Sequence, residues 1–163
     1  MEKLKIPFYA VATDIRTGKE MVFGRGNTGS AVRASCSIPG VFCPVTINGR
    51  VYVDGGVVSP VAVDVAKRYG ANVVIAIDVS GGTGEAPQPT GTLDTIMQAV
   101  NIMYSRIAQQ QLPGADVVIK PNVGNIGSSD FTRRHEAVLE GEKAALEALP
   151  AILAAISEKQ NAL

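Results

Sequence analysis

Tryptophan is missing from this 163-residue sequence, histidine occurs once (His135) and cysteine twice (Cys36 and Cys43). Neither charge is in surplus, with 15 Lys+Arg against 15 Asp+Glu. Without a basic excess or a Lys/Arg cluster, nucleic-acid binding is not expected. Charged residues make up only 18% against 46% hydrophobic, a balance that excludes intrinsic disorder. No run of eighteen apolar residues exists, so no transmembrane segment is expected. The start, MEKLKIPFYAVATD, lacks the apolar stretch and small-residue cleavage site of a signal peptide. The expected location is cytoplasmic, with at most peripheral contact with membranes. Cys36 and Cys43 lie seven apart with no partnering histidine, which fits neither a zinc site nor a redox CxxC pair. They read as small apolar side chains, and no metal and no cofactor are expected.

What is present is enough for one domain, which at this length buries roughly 70% of its unfolded surface. Strands are expected at Ile6–Thr13 and Lys19–Phe23, joined by a hairpin with Gly18 in the left-handed position. A second hairpin is expected at Asn48-Gly49, between Pro44–Ile47 and Arg50–Val53. Asn72–Val79 and Asp116–Lys120 are near-continuous apolar runs, suited to central strands of a parallel sheet covered on both faces. Helices are expected at Thr28–Ser37, Pro60–Tyr69, Leu93–Gln111 (capped by Thr92) and Phe131–Leu149, with Pro150 separating a last helix near Ala151–Lys159. The stripe Leu93, Ile96, Met97, Val100, Met103, Tyr104 and Ile107 should face a core. Strands alternating with helices argue an α/β fold. Ser80–Gly91 reads as a long, mobile connection.

Three glycine clusters invite a phosphate-binding reading, and with it the hypothesis of a nucleotide-binding protein. Gly24–Ser30 has the spacing of a phosphate loop but places Ser30 where lysine should stand. Gly81–Gly84 follows an apolar strand yet completes no GxGxxG, and Gly124–Ser128 reads as a turn. His135 falls at the edge of a helical stripe, and without a GxSxG elbow no Ser-His-Asp triad can be assembled around it. The informative segment is Ala34–Pro60, ASCSIPGVFCPVTINGRVYVDGGVVSP. There Asp54 ends a strand and is followed by Gly55 and Gly56, a layout that places a carboxylate where the backbone can turn sharply or a neighbour can come close. Asp-Gly is also an ordinary turn dipeptide, so a simple turn cap is the competing reading. Asp14 and Asp78, near other strand ends, are rivals.

IPFYAVATDIRTGKEMVFGRG, AVRASCSIPGVFCPV and GRVYVDGGVVSPVAVDVAKRYGANVVIAIDV together resemble the C-terminal half of a patatin-like phospholipase domain. The branch is the bacterial one similar to neuropathy target esterase. The likeness runs from Ile6 to Val79 and continues more loosely through DVVIKP and the Phe131 helix; Ala62 stands where that branch often has proline. The resemblance implies a three-layer α/β/α fold with a mostly parallel central sheet plus hairpins, incomplete because the N-terminal half of the domain is absent. Residues 1–163 would then be the C-terminal part of a single domain. It implies a Ser–Asp dyad in which Asp54 is the base and Gly55 and Gly56 complete the motif. Neither the serine elbow nor the Gly-rich oxyanion loop is in this chain, and Ser30, Ser35, Ser37 and Ser59 lack the flanking glycines of an elbow. The implied substrate is a lipid or other acyl ester, hydrolysed through serine, with self-association or a companion chain supplying the missing half. The chain by itself is expected to be inactive. The alternative is a non-catalytic truncated module used for folding or protein binding.

Overall fold

A computed structural model describes residues 1–80, 88–127 and 130–161 of the chain. β1 (Ala10–Asp14) and β2 (Glu20–Phe23) form the first hairpin, with Gly18 at φ +66°. α1 (Thr28–Ser35) follows, then β3 (Val45–Ile47) and β4 (Arg50–Asp54). Asn48 and Gly49 connect β3 to β4 at φ +51° and +76°, the paired positive angles that a tight two-residue turn demands. α2 (Val63–Arg68), β5 (Ile75–Ile77), α3 (Thr92–Gln111), β6 (Val117–Ile119) and α4 (Arg134–Asn161) complete the described elements.

The protein is α/β, but its main sheet is not the parallel one expected. Four strands run in the order β2-β1-β4-β3, and every ladder among them is antiparallel. Tight hairpins can join only antiparallel neighbours, and two hairpins supply all four strands. The parallel pairing is confined to β5 and β6, which form a separate two-stranded sheet with α3 as the crossover. α1 lies on the antiparallel sheet and closes a core of Ala12, Ala34, Val45 and Tyr52, with Phe23 edge-on to Tyr52 at 5.2 Å. A second core gathers Val63, Val74, Ala76 and Leu112 between α2 and β5.

Several local expectations shift. β1 begins at Ala10, leaving Ile6 exposed and Tyr9 packed at a tilt against Tyr69, ring centroids 4.4 Å apart. Thr92 is the first helical residue of α3 rather than its cap, because extended Gly91 holds the cap position. Pro150 lies inside α4 and separates nothing: it removes one donor, and the Ala- and Leu-rich sequence around it sustains the helix. Ala62 caps α2 at φ +52°, an angle proline's ring forbids, so alanine is the residue this backbone accepts where the related branch often has proline. Cys36 and Cys43 are free and both exposed, not buried apolar fillers. The Gly24–Ser30 cluster turns β2 into α1, with Asn27 Oδ1 accepting the Ser30 N–H at 2.9 Å. Gly81–Gly84, most of the Ser80–Gly91 connection and Ser128 lie outside the described residues.

The largest departure concerns burial. Of the α3 stripe, Leu93 is 63% exposed, and Ile96 and Met103 are over half exposed; only Ala108 of that helix is buried. Val117 and Ile119 of β6 are buried where α4 packs, but Ile77 of β5 is 61% exposed, so the parallel strands are not covered on both faces. α4 itself presents Val138, Leu146 and Leu153 to solvent.

Candidate active site around Asp54

β4 (RVYVD) buries the adjacent Tyr52 and Val53, one on each face, and brings Asp54 to the strand's end. Its backbone is held from two sides: the N–H donates to the Ser37 carbonyl at 2.9 Å, and Thr13 Oγ1 donates to the Asp54 carbonyl at 2.9 Å. Gly55–Val57 then forms one 3-10 turn, and Asp54 Oδ1 accepts the Gly56 N–H at 2.6 Å. The turn-cap reading therefore accounts for one carboxylate oxygen. Oδ2 makes no hydrogen bond among the described residues. Burial raises the Asp54 carboxyl above the ordinary aspartate value, and the Gly56 N–H offsets this only in part.

Both glycines are required by close approach. A Cβ on Gly55 would lie 2.3 Å from the Val11 carbonyl oxygen on β1. One on Gly56 would lie 2.7 Å from the ring edge of Tyr104 and 2.9 Å from Asp54 Oδ1. α3 delivers Tyr104 to this gap. The Tyr104 hydroxyl is buried with no hydrogen-bond partner among the described residues, and burial, then the Asp54 charge, pushes its pKa up to about 12.

Asp54, Gly56 and Tyr104 line an open cleft of about 630 Å³, with apolar walls from Phe8, Val32, Ile38 and Val79. Apolar walls beside a few directed polar groups are the common make-up of a small-molecule site. Of the rival carboxylates, Asp78 reaches the same cleft and Asp14 does not. Asp78 Oδ1 accepts the Ser80 N–H at 3.0 Å and the Ser80 hydroxyl at 2.6 Å, while Oδ2 faces Lys120 at 3.8 Å. Asp14 sits at the opposite end of the sheet. Burial alone would raise its carboxyl, but bonds from the Arg16 and Thr17 N–H groups and the nearby Arg50 charge hold it below the ordinary value.

Ser35 and Ser59 border the cleft, and Ser37 is buried with its hydroxyl donating to the Arg33 carbonyl at 2.7 Å. Among the described residues no serine hydroxyl bonds Asp54. His135 is exposed on α4. No group of three or more His, Cys, Asp and Glu side chains converges as a metal site among the described residues, and no described helix is long and apolar enough to cross a membrane. Tyr104 is the site residue that sequence reasoning placed in the core, since a tyrosine at helical spacing among Met and Ile gives no sign of function.

Residues 10–67 match the patatin-like phospholipase family. An uncharacterized NTE family protein of Mycobacterium tuberculosis is 36% identical over 103 residues, covering 61% of this chain and 29% of that protein. A second from the same organism is 30% identical over 175 aligned positions, covering 93% of this chain and 30% of its own length. Patatin-like phospholipase domain-containing protein 7 of Mus musculus is 40% identical over 81 residues, 48% of this chain and 6% of that protein. The chain thus spans under a third of the length of these relatives.

Proposed function

This chain carries patatin-like sequence related to neuropathy target esterase, and on that premise we propose that it is the base-bearing part of a serine-dependent lipid acyl hydrolase. Asp54 is the base, Gly55 and Gly56 form the turn that seats it, and the nucleophilic serine and its oxyanion donors come from sequence outside these 163 residues. The observation that carries the reading is the Asp54 carboxylate itself. It stands at a strand end in an apolar cleft, with one oxygen fixed by Gly56, the other without a hydrogen bond among the described residues, and its proton affinity raised by burial.

A carboxylate with a reference pKa near 4 is a weak base at neutral pH, so burial works in the direction catalysis needs. Asp54 takes the proton of the serine hydroxyl as its oxygen attacks the ester carbonyl, and the tetrahedral oxyanion is held by backbone N–H groups. The alcohol leaves with that proton; Asp54 then takes a proton from water as the water oxygen attacks the acyl carbon, and returns it to the departing serine oxygen as the acid is released. The remaining elements, on the same chain or a companion chain, add a further layer and cover the apolar faces of α3, α4 and β5, completing a three-layer arrangement.

A fluorophosphonate probe tests this reading. The complete reading frame, carrying a GxSxG segment ahead of these residues, should be labelled at that serine, while residues 1–163 alone should not. A complete protein that resists labelling while folded would refute it.

A further inference from the structure

Asp54 ends β4 beyond the reach of its neighbour β3, whose first residue, Val45, pairs with Tyr52. The ladder therefore offers no β3 partner to the Asp54 N–H and carbonyl, and other groups take them: the Ser37 carbonyl accepts the N–H, and Thr13 Oγ1 donates to the carbonyl, each at 2.9 Å. Thr13 is 1% exposed and pairs with Val53 on the β1–β4 ladder, one residue before Asp54. Its hydroxyl makes this one hydrogen bond among the described residues, and no other described side chain hydrogen-bonds Asp54. A valine has the same shape, suits a strand as well and buries no polar group. What the threonine adds at this position is the bond to Asp54.

The carbonyl it holds belongs to the peptide joining Asp54 to Gly55. Two glycines follow, both required by close approach, and glycine has the most backbone freedom to lose on folding. The turn that seats the carboxylate is thus built from the least constrained residues, and its Gly56 N–H must still meet Asp54 Oδ1 at 2.6 Å. A fixed peptide at the start of the turn supplies the constraint that the glycines lack.

We propose that Thr13 is a positioning residue for Asp54: its hydroxyl pins the Asp54–Gly55 peptide, so that the Gly56 N–H stays on Oδ1 and the carboxylate keeps one orientation. This deepens the hydrolase reading and rests on it for the reaction that Asp54 serves. Thr13 is buried and does not line the cleft, so it acts through Asp54 and not on the substrate.

The test has two arms. In residues 1–163, Thr13→Val should speed amide hydrogen exchange at Gly56 by about tenfold or more while the β1 and β2 amides keep their protection, and Thr13→Ser, which retains the hydroxyl, should restore it. In the complete protein, Thr13→Val should lower kcat per folded molecule roughly ten- to a hundredfold with KM unchanged, and Thr13→Ser should recover most of the loss. Added to Asp54→Asn, where no base is left to position, Thr13→Val should cause no further loss of turnover. Should Thr13→Val not fold, Thr13→Ser against Thr13→Ala gives the same comparison, since that pair also differs by the hydroxyl. Unchanged Gly56 exchange, exchange that quickens equally throughout the sheet, undiminished kcat, or a further loss on top of Asp54→Asn overturns the proposal. If Gly56 exchange responds as stated but the complete protein hydrolyses no ester, the anchoring by Thr13 stands and the hydrolase reading falls.

Discussion

The two glycines after Asp54 make different demands, and alanine at each should fail differently. At Gly55 the added carbon meets backbone: it would sit 2.3 Å from the Val11 carbonyl oxygen and 2.7 Å from its carbon. That is about 1 Å inside an ordinary carbon–oxygen contact. Relief requires β1 and β4 to separate where Ala12 pairs with Asp54. Overpacking against an immovable neighbour costs about 2–3 kcal/mol, and at this chain length that lowers Tm by roughly 4–12 °C. At Gly56 the obstacle is a side chain, the Tyr104 ring at 2.7 Å, together with Asp54 Oδ1 at 2.9 Å. A ring can swing aside, so Gly56→Ala should cost only about 1 kcal/mol of stability while displacing the Asp54 carboxylate and Tyr104. Thermal unfolding followed by circular dichroism, alongside ester hydrolysis by the complete protein, separates the two. Gly55→Ala should show the larger loss of Tm, and Gly56→Ala the larger loss of rate per folded molecule. Equal stability of Gly55→Ala and wild type would refute the close-approach argument.

Three further outcomes follow from the same structure. Residues 1–163 alone should hydrolyse p-nitrophenyl esters no faster than a protein blank, and serine-probe-sensitive turnover would contradict that. The exposed apolar residues of α3, α4 and β5, among them Leu93, Ile77 and Leu146, should make the isolated chain self-associate or bind an apolar-surface dye; a compact, dye-silent monomer across a wide concentration range in sedimentation would refute this. Because the folded state raises the Asp54 pKa, the native protein holds that proton more tightly than the unfolded chain, so Asp54 costs stability above its folded pKa and the cost fades as pH falls through that value. Asp54→Asn should therefore leave neutral-pH Tm unchanged or raised, and a clear drop would mean that the carboxylate is a structural anchor.

Hairpins were the most legible part of the fold, because Asn48-Gly49 and Gly18 carry their backbone angles in their identity. The same hairpins explain why the expected parallel sheet is mostly antiparallel: turn chemistry fixed strand direction more firmly than the apolar runs did. Those runs, at 72–79 and 116–120, correctly marked the β5–β6 pair, but hydrophobicity records what a strand requires and not which cover is present. For the same reason the α3 stripe read as core while Leu93 and Met103 face solvent. Pro150 misled because a single missing donor is tolerated within a long helix. At the site, Asp54, Gly55 and Gly56 stood out as a unit only through the family resemblance, since Asp-Gly by itself reads equally well as a turn. Tyr104 did not, because its meaning depends on meeting Gly56, 48 positions earlier in the chain.

The most direct test of the central claim is the turnover of the complete protein carrying Asp54→Asn, with Asp14→Asn and Asp78→Asn as controls. Asparagine keeps the shape of the side chain but cannot accept a proton. General-base assistance is worth roughly 10²–10⁴ in rate, or about 3–5 kcal/mol of barrier. The loss should fall on kcat, with Tm at neutral pH not reduced and both controls within about tenfold of wild type. Full activity in Asp54→Asn, with activity abolished in Asp14→Asn or Asp78→Asn instead, would contradict the assignment of Asp54 as the base.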